Sequence, residues 1–275
     1  MIELPESINL ACQLDKAIKN KIITAAVAGD TPHKFAFYQG DPAKYDDLLA
    51  GETVIEVTPI GGYINVKLTN QCLILGEDIT LNYSAPGEHI PMKHQLLLHF
   101  SDGSALTATT KMFGAMYIYP CGEYGAKHHL IAAQRPNPLS EAFDQTYFLS
   151  LTQGLKASAS VKAFLATEQR IPGLGNGVLQ DILFHANIHP KSRLSSLSTP
   201  KMEKLFTSIK STLANMTSQN GRETEKDLYG NPGKYQTLFS SKTLGKPCPA
   251  CDNAITKLAY MGGSVYFCPQ CQPLS

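Results

Sequence analysis

A chain of 275 residues is long enough for two modest domains, or for one larger domain with an appendage. Hydrophobic residues make up 43% and charged residues 17%, a globular composition that excludes a disordered chain. Its apolar runs, such as Leu96-Leu97-Leu98, fall far short of the about 20 residues of a membrane span. Glu3 and Glu6 stand where a basic-then-apolar leader would lie, so the expectation is a cytoplasmic protein. The net charge of +1 excludes a general polycation, but the charge is segregated: residues 1–190 carry −5 and residues 191–275 carry +6. A basic C-terminal third suits phosphate, while the acidic remainder resists nonspecific adhesion.

Residues 5–20 predict a helix, with Leu10, Leu14, Ala17 and Ile18 at helical spacing behind Pro5. Residues 22–130 read as β-rich. Strands are expected at Thr53 to Thr58, Tyr63 to Leu68, Gln71 to Leu75, Ile79 to Tyr83, Gln95 to Phe100 and Ala105 to Thr109. Turns at Gly61-Gly62, Thr69-Asn70 and Asp102-Gly103 separate them, and such a series of short strands predicts an antiparallel sandwich. Arg135 to Leu139, with two prolines, reads as a linker. Helical periodicity then runs through Gln145 to Leu155, Ser160 to Glu168, Asn176 to Ala186 and Pro200 to Thr217. Residues 220–246 are polar and basic and read as a loop.

The last 28 residues hold four of the seven cysteines, as Cys248-Pro-Ala-Cys251 and Cys268-Pro-Gln-Cys271 with 16 residues between the pairs. That spacing is a zinc pattern. Four thiolates close the shell, so the ion would be structural, and it would supply folding energy that so short a segment cannot obtain from a core. Thr256 to Tyr260 and Ser264 to Phe267 predict a hairpin around Met261-Gly262-Gly263. Two disulfides are the alternative, disfavoured in a cytoplasmic setting. Cys12, Cys72 and Cys121 are expected as small buried hydrophobes.

A second element is the turn Ile171-Pro172-Gly173-Leu174-Gly175-Asn176, directly before an apolar helical face of Val178, Leu179, Ile182, Leu183 and Ala186. Asn176 is placed as an N-cap. Glycines before a helix can expose backbone N–H groups to an anion, with the dipole assisting; an ordinary tight turn between helices would use the same residues.

Glu3-Leu4-Pro5-Glu6, the run from Ile171 through Leu183-Phe184-His185-Ala186-Asn187-Ile188-His189-Pro190, and the terminal Cys-Pro-x-Cys pair occur in one order along nearly the whole chain. Together they resemble the formamidopyrimidine-DNA glycosylase and endonuclease VIII family. The resemblance implies an α+β chain with three parts. An N-terminal helix and antiparallel β-sandwich would occupy residues 1–134, a helix-two-turn-helix domain 135–240, and a zinc-bearing β-hairpin finger 241–275. It implies a monomer that binds damaged duplex DNA in the cleft between its halves and flips the damaged nucleotide out of the stack. Asn176, Gly175 and the finger would meet phosphates flanking the lesion. Lys111-Met112-Phe113-Gly114 looks like a degraded Arg-Arg-Phe-Gly loop, with Phe113 as a wedge in the vacated stack or a core aromatic. Lys162 and Lys111 would be phosphate contacts or simply solvated.

The departures concern chemistry. The family's nucleophile is an N-terminal proline, whose secondary amine attacks C1′ and forms a Schiff base. Here position 2 is Ile, the hairpin lysine falls at Gly62, the finger arginine at Gly263, and an intercalating methionine near Glu77. Glu3 and Glu6 persist. Loss of the nucleophile from such a unit should cost several orders of magnitude in rate. Three readings follow. A divergent glycosylase would use Glu3 to activate water or stabilise an oxocarbenium ion, releasing a base without strand cleavage. A silent binder would recognise damaged or abasic DNA. A protein-interaction module on this scaffold would be favoured by the acidic N-terminal part, because acids repel DNA. Glu3 and Glu6 have a plainer reading too, as first-turn acids that satisfy a helix dipole.

Overall fold

The computed structural model describes residues 1–123 and 126–274. Helix α1 (Leu4–Ile18) carries Pro5 in its first turn, where its missing N–H costs nothing. It is followed by β1 (Ile23–Ala28), β2 (Ala36–Tyr38), the short helix α2 (Tyr45–Leu49), β3 (Val54–Ile60), β4 (Tyr63–Leu68), β5 (Gln71–Ser84), β6 (Leu96–Phe100) and β7 (Ala105–Pro120). These strands form one hydrogen-bonded sheet in the order β1-β6-β7-β5-β4-β3, with β2 added in parallel to β7.

The two long strands explain how one sheet makes two layers. The sequence predicts two strands at Gln71 to Leu75 and Ile79 to Tyr83, and the structure joins them into β5. Its register against β7 breaks once: Glu77 faces Gly114 and Ile79 faces Thr110, so Lys111, Met112 and Phe113 bulge out opposite Asp78. On one side of the bulge β7 pairs β6; on the other it pairs β2. Leu96, Leu98 and Leu106 from the first part and Leu73, Leu75, Met116 and Ile118 from the second share a single hydrophobic core. β1, β2 and α2 run for only six, three and five residues, too short for a periodicity to stand out in the sequence.

Helices α3 (Lys127–Ala133), α4 (Gln145–Ser150), α5 (Val161–Ala166), α6 (Asn176–Ala186) and α7 (Thr199–Ser218) follow, with α4 and α5 shorter than their periodicity predicts. These two have fixed starts: Asp144 Oδ1 accepts from Tyr147 N at 2.7 Å and Ser160 Oγ from Ala163 N at 3.2 Å. Phe143, Phe148, Phe164, Val178, Ile182, Leu205, Ile209 and Leu213 form a second core. Strands β8 (Thr256–Tyr260) and β9 (Gly263–Phe267) make the terminal hairpin, which packs through Ile255, Cys248 and Cys268 against Phe239 and Phe184.

Helix α1 is the seam. Its Leu10, Ala11, Leu14 and Ile18 enter the sheet core, while Leu4 enters the helical core. Backbone bonds close the seam at its start: Leu4 N donates to Gly173 O at 2.9 Å, and Ser7 Oγ to Gly61 O at 2.5 Å. The approach is so close that a Cβ on Gly173 (φ +74°) would lie 2.6 Å from the Gly61 carbonyl carbon. Among the described residues no helix is long and apolar enough to cross a membrane. Of the scattered cysteines, Cys72 is buried as expected. Cys12 and Cys121 are exposed, because the positions they occupy on α1 and after β7 face outward.

Candidate functional site

The first six residues converge on the start of α6. Glu3 is buried, and its two carboxylate oxygens accept from Gly177 N and Val178 N, each at 2.7 Å. The helix dipole and two orphan N–H groups are thus satisfied by an acid 174 residues away in sequence. This corrects the assignment of Asn176 as the N-cap. The N-cap is Gly175, and Asn176 is the first helical residue. The glycines follow from the same contact. A Cβ on Gly175 would lie 2.6 Å from Glu3 Oε1, and one on Gly177 would lie 1.5 Å from Arg222 Nη1.

Arg222 is the residue that sequence reasoning missed. It sits in the segment read as a polar loop and is enclosed between the halves. Its Nε donates to Glu6 Oε1 at 3.0 Å and its Nη2 to Glu6 Oε2 at 2.8 Å, a bidentate pair, while its own backbone N–H donates to the same carboxylate at 3.1 Å. Nη1 lies 3.7 Å from Glu3 Oε1, and Nη2 also donates to the Met1 carbonyl at 3.2 Å. Glu6 closes the set by accepting from Glu3 N at 3.2 Å. Burial alone would raise the Glu6 carboxyl, but Arg222 overrides it and holds the group below the usual carboxylate range. For Glu3 burial prevails over the attraction of Arg222, and its carboxyl is raised. Nothing in the sequence around Arg222 marks it, because its carboxylate partners lie at the other end of the chain.

The N-terminus is fixed as well. Ile2 is buried in the sheet core and its N–H donates to Glu77 O at 2.8 Å. The Met1 ammonium lies 2.9 Å from Asp78 Oδ1 and 2.9 Å from Glu225 Oε2. Burial opposes that charge, yet Glu225 and Asp78 outweigh it, and the amine's pKa lies above its ordinary value. Glu225 also attracts Lys111 Nζ at 3.9 Å. A cavity of about 280 Å³ opens beside this cluster, lined among others by Ile2, Glu3, Tyr63, Glu77 and Gly175. Glu77 presents its carboxylate there and accepts from Tyr63 OH at 2.6 Å. Gly62 lies on the same wall, where a Cβ would meet the Ile2 carbonyl oxygen at 2.9 Å. By contrast a Cβ on Gly263 would have ordinary contact, 3.6 Å from the Asn176 amide.

The four terminal cysteine sulfurs lie within 4.8 Å of one another, with Cys248–Cys271 at 3.8 Å and Cys251–Cys268 at 3.4 Å. Sulfurs about 2.3 Å from a tetrahedral ion are roughly 3.8 Å apart, so the set fits one metal. The hairpin they anchor is tied to α6. Asn176 Nδ2 donates to Ser264 O at 2.9 Å, and Gln180 Oε1 accepts from Tyr266 N at 3.0 Å. Lys162 does not stand in solvent as one reading had it. It is buried, and its ammonium donates to Tyr260 O at 2.6 Å, so it holds the hairpin turn. Burial lowers its pKa. Lys111 and Phe113 are exposed on the β7 bulge. Asp181, also missed, is buried on α6 and accepts from Tyr235 OH, Leu238 N and Phe239 N at 2.9–3.0 Å, fixing the segment that leads to the hairpin. Burial raises its carboxyl to about 6.

Residues 135–226 match the formamidopyrimidine-DNA glycosylase H2TH domain. A formamidopyrimidine-DNA glycosylase of Oceanobacillus iheyensis is 28% identical over 99% of this chain and 98% of its own length; one from Legionella pneumophila strain Paris is 28% identical over 100% and 99%. The chain is thus similar along its whole length to formamidopyrimidine-DNA glycosylases. Solved structures share its fold: MutM (Fpg) from Thermus thermophilus superposes with a TM-score of 0.84 at 23% identity, covering 99% of both chains. The Lactococcus lactis Fpg, solved in complex with DNA containing an abasic site, gives 0.82 at 22% identity, covering 98% of this chain and 99% of that one.

Arg222→Met should leave two buried carboxylates facing each other and cost about 3–5 kcal/mol at neutral pH. Buried carboxyls without the cation have raised pKa values. Their stability contribution is full below the unfolded value of about 4.3 and is lost as pH rises through the folded value. Urea unfolding should therefore show the deficit of the variant narrowing from about pH 7 to about pH 5.

Proposed function

We propose that this protein is a DNA-repair glycosylase that binds damaged duplex DNA and releases a base by hydrolysis, without the proline-dependent lyase step. The observation that carries this reading is the state of the amino end. The nitrogen of residue 2, where the family's resemblance expects the nucleophilic amine, is here an amide whose N–H is bonded to Glu77. The neighbouring Met1 amine is held between Asp78 and Glu225 as an ammonium, which has no lone pair to attack C1′. Gly62 and Gly263 offer no cation in place of lysine and arginine.

Glu3 borders the cavity and is the acid placed to polarise water or to face an oxocarbenium ion. Its geometry also supports a second reading, in which the protein binds damaged or abasic DNA without turnover, because both Glu3 oxygens are already engaged by α6 and the guanidinium of Arg222 stands beside them. A module for protein partners is the third and weakest, since the exposed cations and the hairpin suit phosphate. We further propose that Cys248, Cys251, Cys268 and Cys271 hold a structural zinc ion. Zinc would fix the hairpin turn on which the Asn176 and Lys162 contacts depend. In this reading residues 1–134, 135–240 and 241–275 act as sandwich, helical domain and finger, and Asn176, Gly175 and Lys111 meet phosphates of a DNA bound by one copy of the chain in the cytoplasm.

Two measurements test these readings. Metal analysis should find one zinc per chain. Its removal by a strong chelator should unfold the hairpin and weaken DNA binding at least about tenfold; full binding by metal-free protein would refute the zinc assignment. End-labelled duplexes carrying an oxidised purine, an oxidised pyrimidine or an alkylated purine should show strand breaks only after alkali, abolished by Glu3→Gln. Breaks without alkali would refute the hydrolytic reading, and intact strands with a shifted native band would establish the silent binder.

A further inference from the structure

The β7 bulge does more than expose Phe113. Strand β2 runs parallel to β7 directly after it, with Ala36 opposite Gly114 and Phe37 opposite Ala115, and Gly114 N donates to Phe35 O at 2.9 Å. Strand alternation turns Ala36 toward the sheet core and sends Phe35 and Phe37 to the other face, beside Phe113. The Phe35 and Phe113 ring centroids are 5.0 Å apart; those of Phe37 and Phe113 are 6.4 Å apart with planes only 7° from parallel. Phe35, Phe37 and Phe113 are 37%, 42% and 39% exposed as residues, and Met112 beside them is 55% exposed. An exposed cluster of three aromatic rings on two paired strands costs free energy in water and calls for an occupant.

The surroundings select a nucleic acid base. Lys34 Nζ lies 5.3 Å from the Phe35 ring centre, and Lys111 stands on the bulge itself, so cations flank the rings as phosphates would require. The bulge is continuous with the amino-end cluster through Lys111, Glu225 and Met1. A Cβ on Gly114 would collide with the Thr110 side chain, so β7 packs closely where it leaves the bulge. We infer that Phe35, Phe37 and Phe113 form one stacking platform for the unpaired base that faces the emptied position in a damaged duplex. The inference rests on the DNA-repair reading above. It extends the single wedge residue to two side chains on a different strand. Every base has a π-face, so a platform of rings accepts the unpaired base whatever its identity.

The chain contains no tryptophan, so Phe37→Trp supplies the sole indole reporter. On titration with an abasic duplex its emission should be quenched, equally for all four bases opposite the abasic site, and little changed by intact duplex or by a single strand of the same sequence. Phe35→Ala/Phe37→Ala should bind the abasic duplex about tenfold more weakly. Its affinity for intact duplex, measured below the melting temperature of both proteins, should remain that of the wild type, since an intact duplex offers no unpaired base. If the unmodified protein binds no abasic duplex, the DNA-repair reading itself falls and this inference with it. If binding is intact but the indole emission does not move and the double variant loses less than about twofold, the platform alone is refuted. Equal quenching by the single strand would likewise overturn the assignment to a gapped duplex.

Discussion

The guanidinium of Arg222 is the point on which the arrangement turns. It lies between Glu6, which it grips with two nitrogens, and Glu3, which caps α6. Three parts of the chain that share no local sequence are joined by one buried charge cluster: the first turn of α1, the start of α6 and the segment before the terminal hairpin. A cation facing two acids leaves the set short of neutral, so the structure compensates with backbone N–H groups from Gly177, Val178, Glu3 and Arg222 itself. Such a cluster adds little to stability compared with an apolar core of the same volume. Its components cannot be removed singly, and it fixes where the amino end lies.

That fixation changes the meaning of the glycine-rich turn. Read along the chain, glycines before a helix suggest an open anion site. In the structure two of them make room for Glu3 and Arg222, and the anion at the helix start is the protein's own carboxylate. The same crowding bears on the amino end. Ile2 fills a hydrophobic position, its carbonyl approaches Gly62, and Met1 is delivered to Asp78 and Glu225. The proposed loss of covalent chemistry thus has a physical form. The space and charge that a neutral secondary amine would need are occupied by an apolar anchor and two acids.

Much of this was legible in the sequence, for identifiable reasons. The terminal cysteines were, because metal ligation demands fixed spacing; α1, α7 and β8 were, because each favours one face and its periodicity shows it; α6 and β4, buried nearly all round, were legible from their apolar residues and the turns that bound them. The two-layer sheet was legible only in part. A register break that converts two short strands into one bent strand depends on pairing with β7, which no local pattern encodes. Arg222, Asp181 and the burial of Lys162 escaped notice because each is defined by partners distant in sequence. The aromatic platform escaped for the same reason: Phe35 and Phe37 meet Phe113 only once β2 adds to β7.

The central claim is that the amino end of this protein is not free to form a Schiff base. Borohydride trapping on an end-labelled abasic duplex measures this directly. The account predicts that the duplex binds, yet no covalent protein–DNA adduct accumulates on a denaturing gel at any time of incubation. A trapped adduct, mapped by digestion to the Met1 amine, would contradict it.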